Sequence, residues 1–179
     1  RWAHLLLSLR LNAERASSFL RTLTFSNKRL KKITALLQML ASLESDEREL
    51  TGAGAKKVWK RAAFRAGFTI AECWLNWLPV LADERSRELH RLSPGALDTL
   101  SRSGLRWLWE MPLREKRELA LSGADLLKLR AEPGAWIGHL LDDLAIQVAV
   151  GEVVNEKQAL IDFAKRQLQQ HSGKNERTD

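Results

Sequence analysis

Paired carboxylates are the side chains of this 179-residue sequence that could most directly do chemistry, because two of them can hold metal ions at a reacting phosphate. Asp142 and Asp143 are an adjacent pair. They fall within a predicted helix, where consecutive side chains project about 100° apart and cannot converge on one ion. The pair is therefore predicted to lie on a solvated helix face, with no metal site and no catalytic role.

Other catalytic and metal-binding patterns are also missing. The four histidines are scattered, at His4, His90, His139 and His171. There is neither a pair of cysteines nor the His-x-x-x-His spacing of a metal site. Gly52 and Gly54 lack the Lys-Ser/Thr that a phosphate loop requires. Cys73 is the single cysteine and is predicted to be a core residue in a reducing cytosol. The chain by itself is expected to turn over no substrate.

Positive charge is concentrated in the first third of the sequence. Residues 1–67 contain fourteen Lys and Arg against five Asp and Glu, a net charge of +9, whereas the whole chain has +7. A surface of one sign attracts a polyanion whatever its sequence. The distribution predicts a nucleic acid or another anionic surface as the partner.

The first basic cluster begins at Ser26, a predicted helix N-cap, and continues with Lys28, Arg29, Lys31 and Lys32. Unpaired backbone N–H groups and the positive end of the helix dipole favour a phosphate at such a position. Lys28 and Arg29 would meet that phosphate, with Lys32 one turn further on. A solvated amphipathic face is the competing interpretation.

The second cluster forms a cationic row on one helix flank. Lys57, Arg61 and Arg65 are spaced i, i+4, i+8, with Lys56 and Lys60 alongside. We call these five residues the basic ridge. Such a row can follow a sugar-phosphate backbone without reading bases. An ordinary solubilising surface remains the alternative.

The elements that must position these residues are predicted to be helices throughout, because the apolar residues recur with helical periodicity and no long apolar–polar alternation occurs. We predict an all-α fold with a multi-helix body at 1–112, a smaller helical tail at 113–170 and a frayed polar C-terminus at 171–179. Met111–Pro112 is the predicted boundary, and Ser45–Leu50 is predicted to be a loop or short turn. No apolar run approaches the roughly 18 residues of a membrane helix.

Short polar motifs predict where individual helices begin and end. Ser93–Pro94 and Ser122 have the residue types of helix caps. Thr69–Glu72 and the segment from Asn155 to Gln158 match the capping-box pattern. Gly151 is predicted to end a helix in the left-handed conformation.

Three ordered motifs near the C-terminus resemble the last helical module of the bacterial-type CCA-adding enzymes, the tRNA nucleotidyltransferases. Leu119–Leu127 reads LALSGADLL, Pro133–Gly138 reads PGAWIG, and Val148–Gly151 with Asn155–Leu160 reads VAVG and NEKQAL. A weaker match at the other end comprises Trp2–Ala3, Phe19–Arg21 and Phe25–Lys28. The resemblance therefore covers both ends of the chain.

The resemblance implies that this chain is the tRNA-gripping body and tail of such an enzyme, without its catalytic head. The body would lie along the acceptor stem, and the tail would reach the tRNA elbow. The head would use Mg²⁺ with CTP and ATP, and the enzyme would be cytoplasmic. Gly134 begins a helix whose free N–H groups could hold a tRNA phosphate, whereas Trp136 is interpreted as a packing residue. Ser122, Ala124 and Ala135 depart from the usual family residues.

Several alternatives stay open. Relatives that add only A or only CC, and some poly(A) polymerases, share this ancestry. A non-catalytic helical scaffold that binds a protein is the rival from another class, and a module for anionic membranes is weaker because the basic ridge lacks a lipid-inserting face. The chain begins with Arg1, so a fragment or a trimmed chain is expected. A homo-oligomer is one of the alternatives, and the oligomeric state is left open.

Overall fold

The fold is all-α, as predicted. A computed structural model describes residues 2–130 and 132–175, with the backbone alone for 170–175. No strand occurs in these residues. The chain divides into two compact units, Arg1–Glu110 and Met111–Asp179, which we call the N-terminal and C-terminal units.

The N-terminal unit is built from eight α-helices and one 3-10 helix within the described residues. In order they are α1 (Trp2–Ser8), α2 (Ala13–Thr22), α3 (Asn27–Ser45), α4 (Glu47–Leu50), α5 (Ala55–Ala66), α6 (Phe68–Leu75), α7 (Leu78–Leu81), the 3-10 helix Glu84–Leu89 and α8 (Pro94–Trp109). Helices α3, α5, α6 and α8 pack on one another and form the centre of the unit.

Two tryptophans form the middle of this core. Trp59 of α5 and Trp74 of α6 are fully buried, with ring centroids 5.7 Å apart. The indole Nε1 of Trp59 donates a hydrogen bond to the carbonyl of Gly104, at 2.9 Å. Helix α8 comes this close because Gly104 has no side chain, since a Cβ there would lie 2.7 Å from Leu75.

The other tryptophans differ in how far they are exposed. Trp77 is buried like Trp59 and Trp74, Trp107 and Trp136 are half-buried, and Trp2 and Trp109 are exposed. Three of the seven tryptophans are therefore core residues. Cys73, predicted to be a core residue, is half-buried.

The Ser93 cap is confirmed, since its hydroxyl accepts a hydrogen bond from the Ala96 N–H. The capping box predicted at Thr69–Glu72 is wrong. Helix α6 begins earlier, directly after Gly67, whose positive φ of 92° ends α5 and lets the next helix start at once. The predicted turn at Ser45–Leu50 is also mostly helical, because α3 continues to Ser45 and α4 follows.

The C-terminal unit contains the 3-10 helix Lys116–Glu118, α9 (Gly123–Leu127), α10 (Ala135–Val150) and α11 (Lys157–Asn175). Its core is aliphatic, with Leu126, Leu144 and Leu160 fully buried. Ser122 caps α9, and Gly151 ends α10 in the left-handed conformation with φ 87°, both as predicted. Helix α11 extends into the segment predicted to be frayed, of which 176–179 lie outside the described residues.

Candidate nucleic-acid interface

Helix α5 buries one flank and presents basic residues on the other. Val58, Trp59, Ala62 and Ala63 face the core. On the opposite flank the basic ridge differs in exposure from residue to residue. Lys56 and Arg65 are exposed, Lys57 and Arg61 are half-buried, and Lys60 is buried.

The ridge therefore lacks one of its predicted members. Lys60 is only 3% exposed, and its Nζ donates a hydrogen bond to the backbone carbonyl of Glu110, at 3.0 Å. Burial lowers the Lys60 pKa, and the positive charge of Lys56 lowers it further. The last carbonyls of a helix lack partners within the helix, and Lys60 satisfies one at the end of α8. Its position supports a structural role and not the predicted contact with RNA.

Glu110 is a residue of this surface that the sequence did not reveal. Its carboxylate accepts a hydrogen bond from Lys56 Nζ at 2.7 Å, and Arg106 Nε lies 3.7 Å away. The hydrogen bond from Lys56 is the main cause that lowers the Glu110 pKa, and nearby positive charges lower it further. Lys56 and Glu110 are 54 positions apart, so no local pattern could have paired them.

Arg61 and Arg65 retain the geometry that the sequence predicted. They are one turn apart on α5, and neither forms an ion pair in the part of the chain that the structure describes. Lys57, half-buried, completes the row on the N-terminal side. Lys56, by contrast, is paired with Glu110, and Lys60 bonds a backbone carbonyl.

The basic cluster at the start of α3 lies on the surface. Lys28, Arg29, Lys31 and Lys32 are all exposed, and the Ser26 side chain makes no capping hydrogen bond. The guanidinium of Arg29 lies over the ring of Phe25, 5.6 Å from its centroid. An aromatic face can hold a guanidinium in place while its N–H groups stay available to an anion. The cluster therefore has exposed cations beside a helix N-terminus, as the phosphate prediction requires.

Gly134 in the C-terminal unit is the N-cap of α10 and has an extended backbone. A Cβ at this position would lie 3.1 Å from the Trp136 ring. The Trp136 indole donates to the Glu132 carbonyl at 2.9 Å, and Arg130 lies over its ring at 5.8 Å. Trp136 thus packs on its own loop, in agreement with the packing interpretation, and a small residue at Gly134 leaves room for it.

The most distinctive motif residues of this unit hold its backbone together. The Asn155 amide accepts a hydrogen bond from the Ala120 N–H at 2.8 Å and donates one to the Glu118 carbonyl at 2.9 Å. The capping box predicted at Asn155 is therefore wrong, because α11 begins only at Lys157 and the Asn155 side chain is engaged elsewhere. Asn155 ties the start of α11 to the segment before α9.

Asp125 is the second centre of this arrangement. Its carboxylate binds Lys157 Nζ at 2.7 Å and accepts a hydrogen bond from the Ser122 hydroxyl at 2.8 Å. The bond from Lys157 is the largest of the causes that lower the Asp125 pKa well below its ordinary range, and the Ser122 bonds come next. These motif residues form a structural network, and their contacts suggest no chemical step.

Replacing Asn155 with alanine should destabilise the C-terminal unit by about 1–3 kcal/mol, since one side chain serves two backbone groups that would lose their partner. Val154→Ala is the matched control, because its neighbouring side chain is 64% exposed and should change stability by less than about 0.5 kcal/mol. Equilibrium denaturation followed by circular dichroism measures both. Equal stability of the two variants would show that the Asn155 contacts contribute nothing.

The acidic pair lies on a solvent-exposed face of α10. Asp142 and Asp143 are both exposed on α10, and Asp142 forms an ion pair with Lys116 at 2.5 Å. Within residues 2–130 and 132–175 no group of His, Cys, Asp and Glu is arranged to hold a metal ion. Over the same residues, no helix combines the length and the apolar character needed to cross a membrane.

Comparison with known proteins gives consistent results. The family model described as tRNA nucleotidyltransferase domain 2, putative, matches residues 103–164. A CCA-adding enzyme of Bacillus cereus (strain 03BB102) is 26% identical over 162 residues, which cover 89% of this chain and 34% of that enzyme. A CCA-adding enzyme of Enterococcus faecalis is 38% identical over 58 residues, 32% of this chain and 14% of the enzyme.

The fold comparison covers nearly the whole chain. The crystal structure of the Bacillus stearothermophilus CCA-adding enzyme in complex with CTP matches with a TM-score of 0.68 and 25% identity, over 97% of this chain and 39% of that one. The chain thus spans about a third of the length of the Bacillus relatives it matches. Sequence and fold together show that the chain is similar, over most of its length, to part of the CCA-adding enzymes.

Proposed function

We propose that this chain holds tRNA for an enzyme that extends the tRNA 3′ end with C, C and A from CTP and ATP. The observation that supports the proposal most directly is the pair of arginines on α5, Arg61 and Arg65, which have no ion-pair partner among the described residues. Uncompensated cations on a rigid helix are suited to phosphates of a backbone whose geometry is regular. The similarity to CCA-adding enzymes makes tRNA the RNA to test.

The two units contact separate parts of the RNA in this proposal. The N-terminal unit, with the ridge and the α3 cluster, follows the acceptor stem, and the C-terminal unit with Gly134 reaches the elbow. Recognition by phosphates and shape fits double-stranded RNA, because its major groove is too deep and narrow for side chains to read. An enzyme that must accept every tRNA gains from contacts that ignore sequence.

Nucleotide transfer belongs, in the same proposal, to another part of the intact enzyme. The acidic side chains of the described residues do not converge, so they do not fit the Mg²⁺ that the reaction with CTP and ATP would use. A tRNA-processing role would place the protein in the cytoplasm. The chain's own contribution is to bind and orient the RNA.

The proposal is tested by binding of the 179-residue chain to unmodified tRNA and to a DNA duplex of matched length, over a series of salt concentrations. We expect several-fold preference for tRNA and a log–log salt slope of about −3 or steeper, since each neutralised phosphate contributes about −0.9. Equal and weak binding to both nucleic acids would contradict a tRNA-holding role.

The outer face of α1 favours a second function, the binding of a partner protein. Trp2 and Leu5 share one side of this helix, and Leu9 lies in the turn that follows it, with its N–H bonded to the Leu5 carbonyl. Leu5 and Leu9 are 46% and 52% exposed. Neighbouring exposed apolar side chains are typical of a surface that a binding partner covers. Indifference to RNA, with self-association or partner binding that Leu5→Ser weakens, would favour this function over the first.

A further inference from the structure

Glu110 lies in an unusually positive environment for a surface carboxylate. Lys56 binds one of its oxygens at 2.7 Å, Arg106 lies 3.7 Å from the other, and Lys60 donates to its backbone carbonyl. Three cations therefore meet one anion at the point where α5 approaches the end of α8. The site keeps a net positive charge even with Glu110 in place.

The cations differ in how firmly they are held. Lys60 is buried and bonds a backbone oxygen, so it stays whatever happens to the Glu110 side chain. The side chains of Lys56 and Arg106 are 49% and 68% exposed, and that of Glu110 is 43% exposed. Ion pairs this open to water are weak and exchange readily. The Glu110 carboxylate can leave Lys56 and Arg106 without disturbing the helix ends.

We propose that Glu110 occupies the position of an RNA phosphate on the N-terminal unit, and that a phosphate of the bound RNA takes Lys56 and Arg106 from it. The inference rests on the proposed function, because it concerns the same basic surface. A carboxylate and a phosphate offer the same acceptor oxygens to Lys and Arg. Glu110 then acts as a built-in competitor, which weakens RNA binding and eases release.

An internal comparison comes from the same helix. Asp98 accepts a hydrogen bond from Arg102 Nε at 2.9 Å, one turn along α8, and both side chains are exposed. Asp98 therefore pairs with a single cation, and within the described residues no second Lys or Arg forms an ion pair with it. Asp98→Asn removes the same charge as Glu110→Gln from the same helix. The Asp98→Asn variant therefore measures how much tRNA affinity rises when any one acidic side chain is neutralised on this helix.

The first measurement is tRNA affinity of the unaltered chain, Glu110→Gln and Asp98→Asn over a salt series. Removal of a competitor should tighten binding by roughly three- to tenfold in Glu110→Gln and by less than about twofold in Asp98→Asn. The salt slope of Glu110→Gln should steepen by about one unit, since no displaced carboxylate takes up a cation while the phosphate releases its counterions. Equal effects of the two substitutions would overturn the inference.

The second measurement tests whether Lys56 is the cation for which Glu110 competes with the RNA phosphate. Lys56→Met is added to the unaltered chain and to Glu110→Gln. Competition predicts that the loss of Lys56 weakens tRNA binding at least about threefold more in the Glu110→Gln background. Additive effects would overturn the inference while leaving the proposed function intact. That function fails on a different result, the absence of tRNA preference in the unaltered chain.

Discussion

Trp59→Ala is expected to lower the free energy of unfolding of the N-terminal unit by about 3–5 kcal/mol, the range for truncating a large buried aromatic side chain. Trp59 is fully buried and packs against Trp74 at 5.7 Å between ring centroids. Its indole also satisfies the Gly104 carbonyl at 2.9 Å. The substitution therefore opens a cavity and leaves a buried acceptor without its partner.

Two further variants separate these effects. Trp59→Phe keeps a ring but loses the donor to Gly104, and should cost less than the alanine variant, about 1–3 kcal/mol. Leu105→Ala lies on α8 next to Gly104 but is 51% exposed, and should change stability by about 0.5 kcal/mol or less. Denaturant titration followed by circular dichroism measures all three. A loss below about 1 kcal/mol in Trp59→Ala would contradict the packing argument.

Local features of this fold were predictable because each depends on a few neighbouring residues. Ser93 and Ser122 each accept a hydrogen bond from an N–H three residues ahead, and this pattern is visible in the sequence. Gly151 ends α10 since only glycine adopts its positive φ without strain. The all-α class follows from the same short-range periodicity.

Features that depend on distant partners were not predictable in this way. Lys60 reads as a ridge residue by spacing, but its partner is the Glu110 carbonyl, 50 positions away. Asn155 has the residue type of a cap, yet it bonds Glu118 and Ala120 across 37 and 35 positions. Spacing along a helix shows which residues share a flank. It does not show which other helix covers that flank.

The family resemblance also has to be interpreted residue by residue. Asn155, Lys157 and Asp125 are the polar residues that made the C-terminal motifs distinctive, and all three hold the backbone of the C-terminal unit together. In this chain, these motif residues therefore stabilise the fold. The basic residues of α3 and α5, which the motifs mostly omit, are the ones with the exposure and charge to meet RNA.

Reversing the two arginines of the ridge should have the largest effect on RNA binding. Arg61→Glu/Arg65→Glu changes the net charge by four on one flank of α5 and replaces two phosphate contacts with repulsion. We expect tRNA affinity to fall by about 10- to 100-fold, equivalent to about 1.4–2.8 kcal/mol. The log–log salt slope should become shallower by about two units, because two phosphates are no longer neutralised.

Two control variants separate a contact at α5 from a general effect of net charge. Arg85→Glu/Arg87→Glu makes the same charge change on the exposed 3-10 helix that packs on α1 and α7, and should weaken binding by less than about threefold. Lys60→Met should have a similarly small effect, since the buried ammonium bonds a protein carbonyl and not RNA. If Arg85→Glu/Arg87→Glu loses as much affinity as Arg61→Glu/Arg65→Glu, net charge alone governs binding and α5 is not the contact surface. A loss confined to Arg61 and Arg65 locates the RNA on that helix.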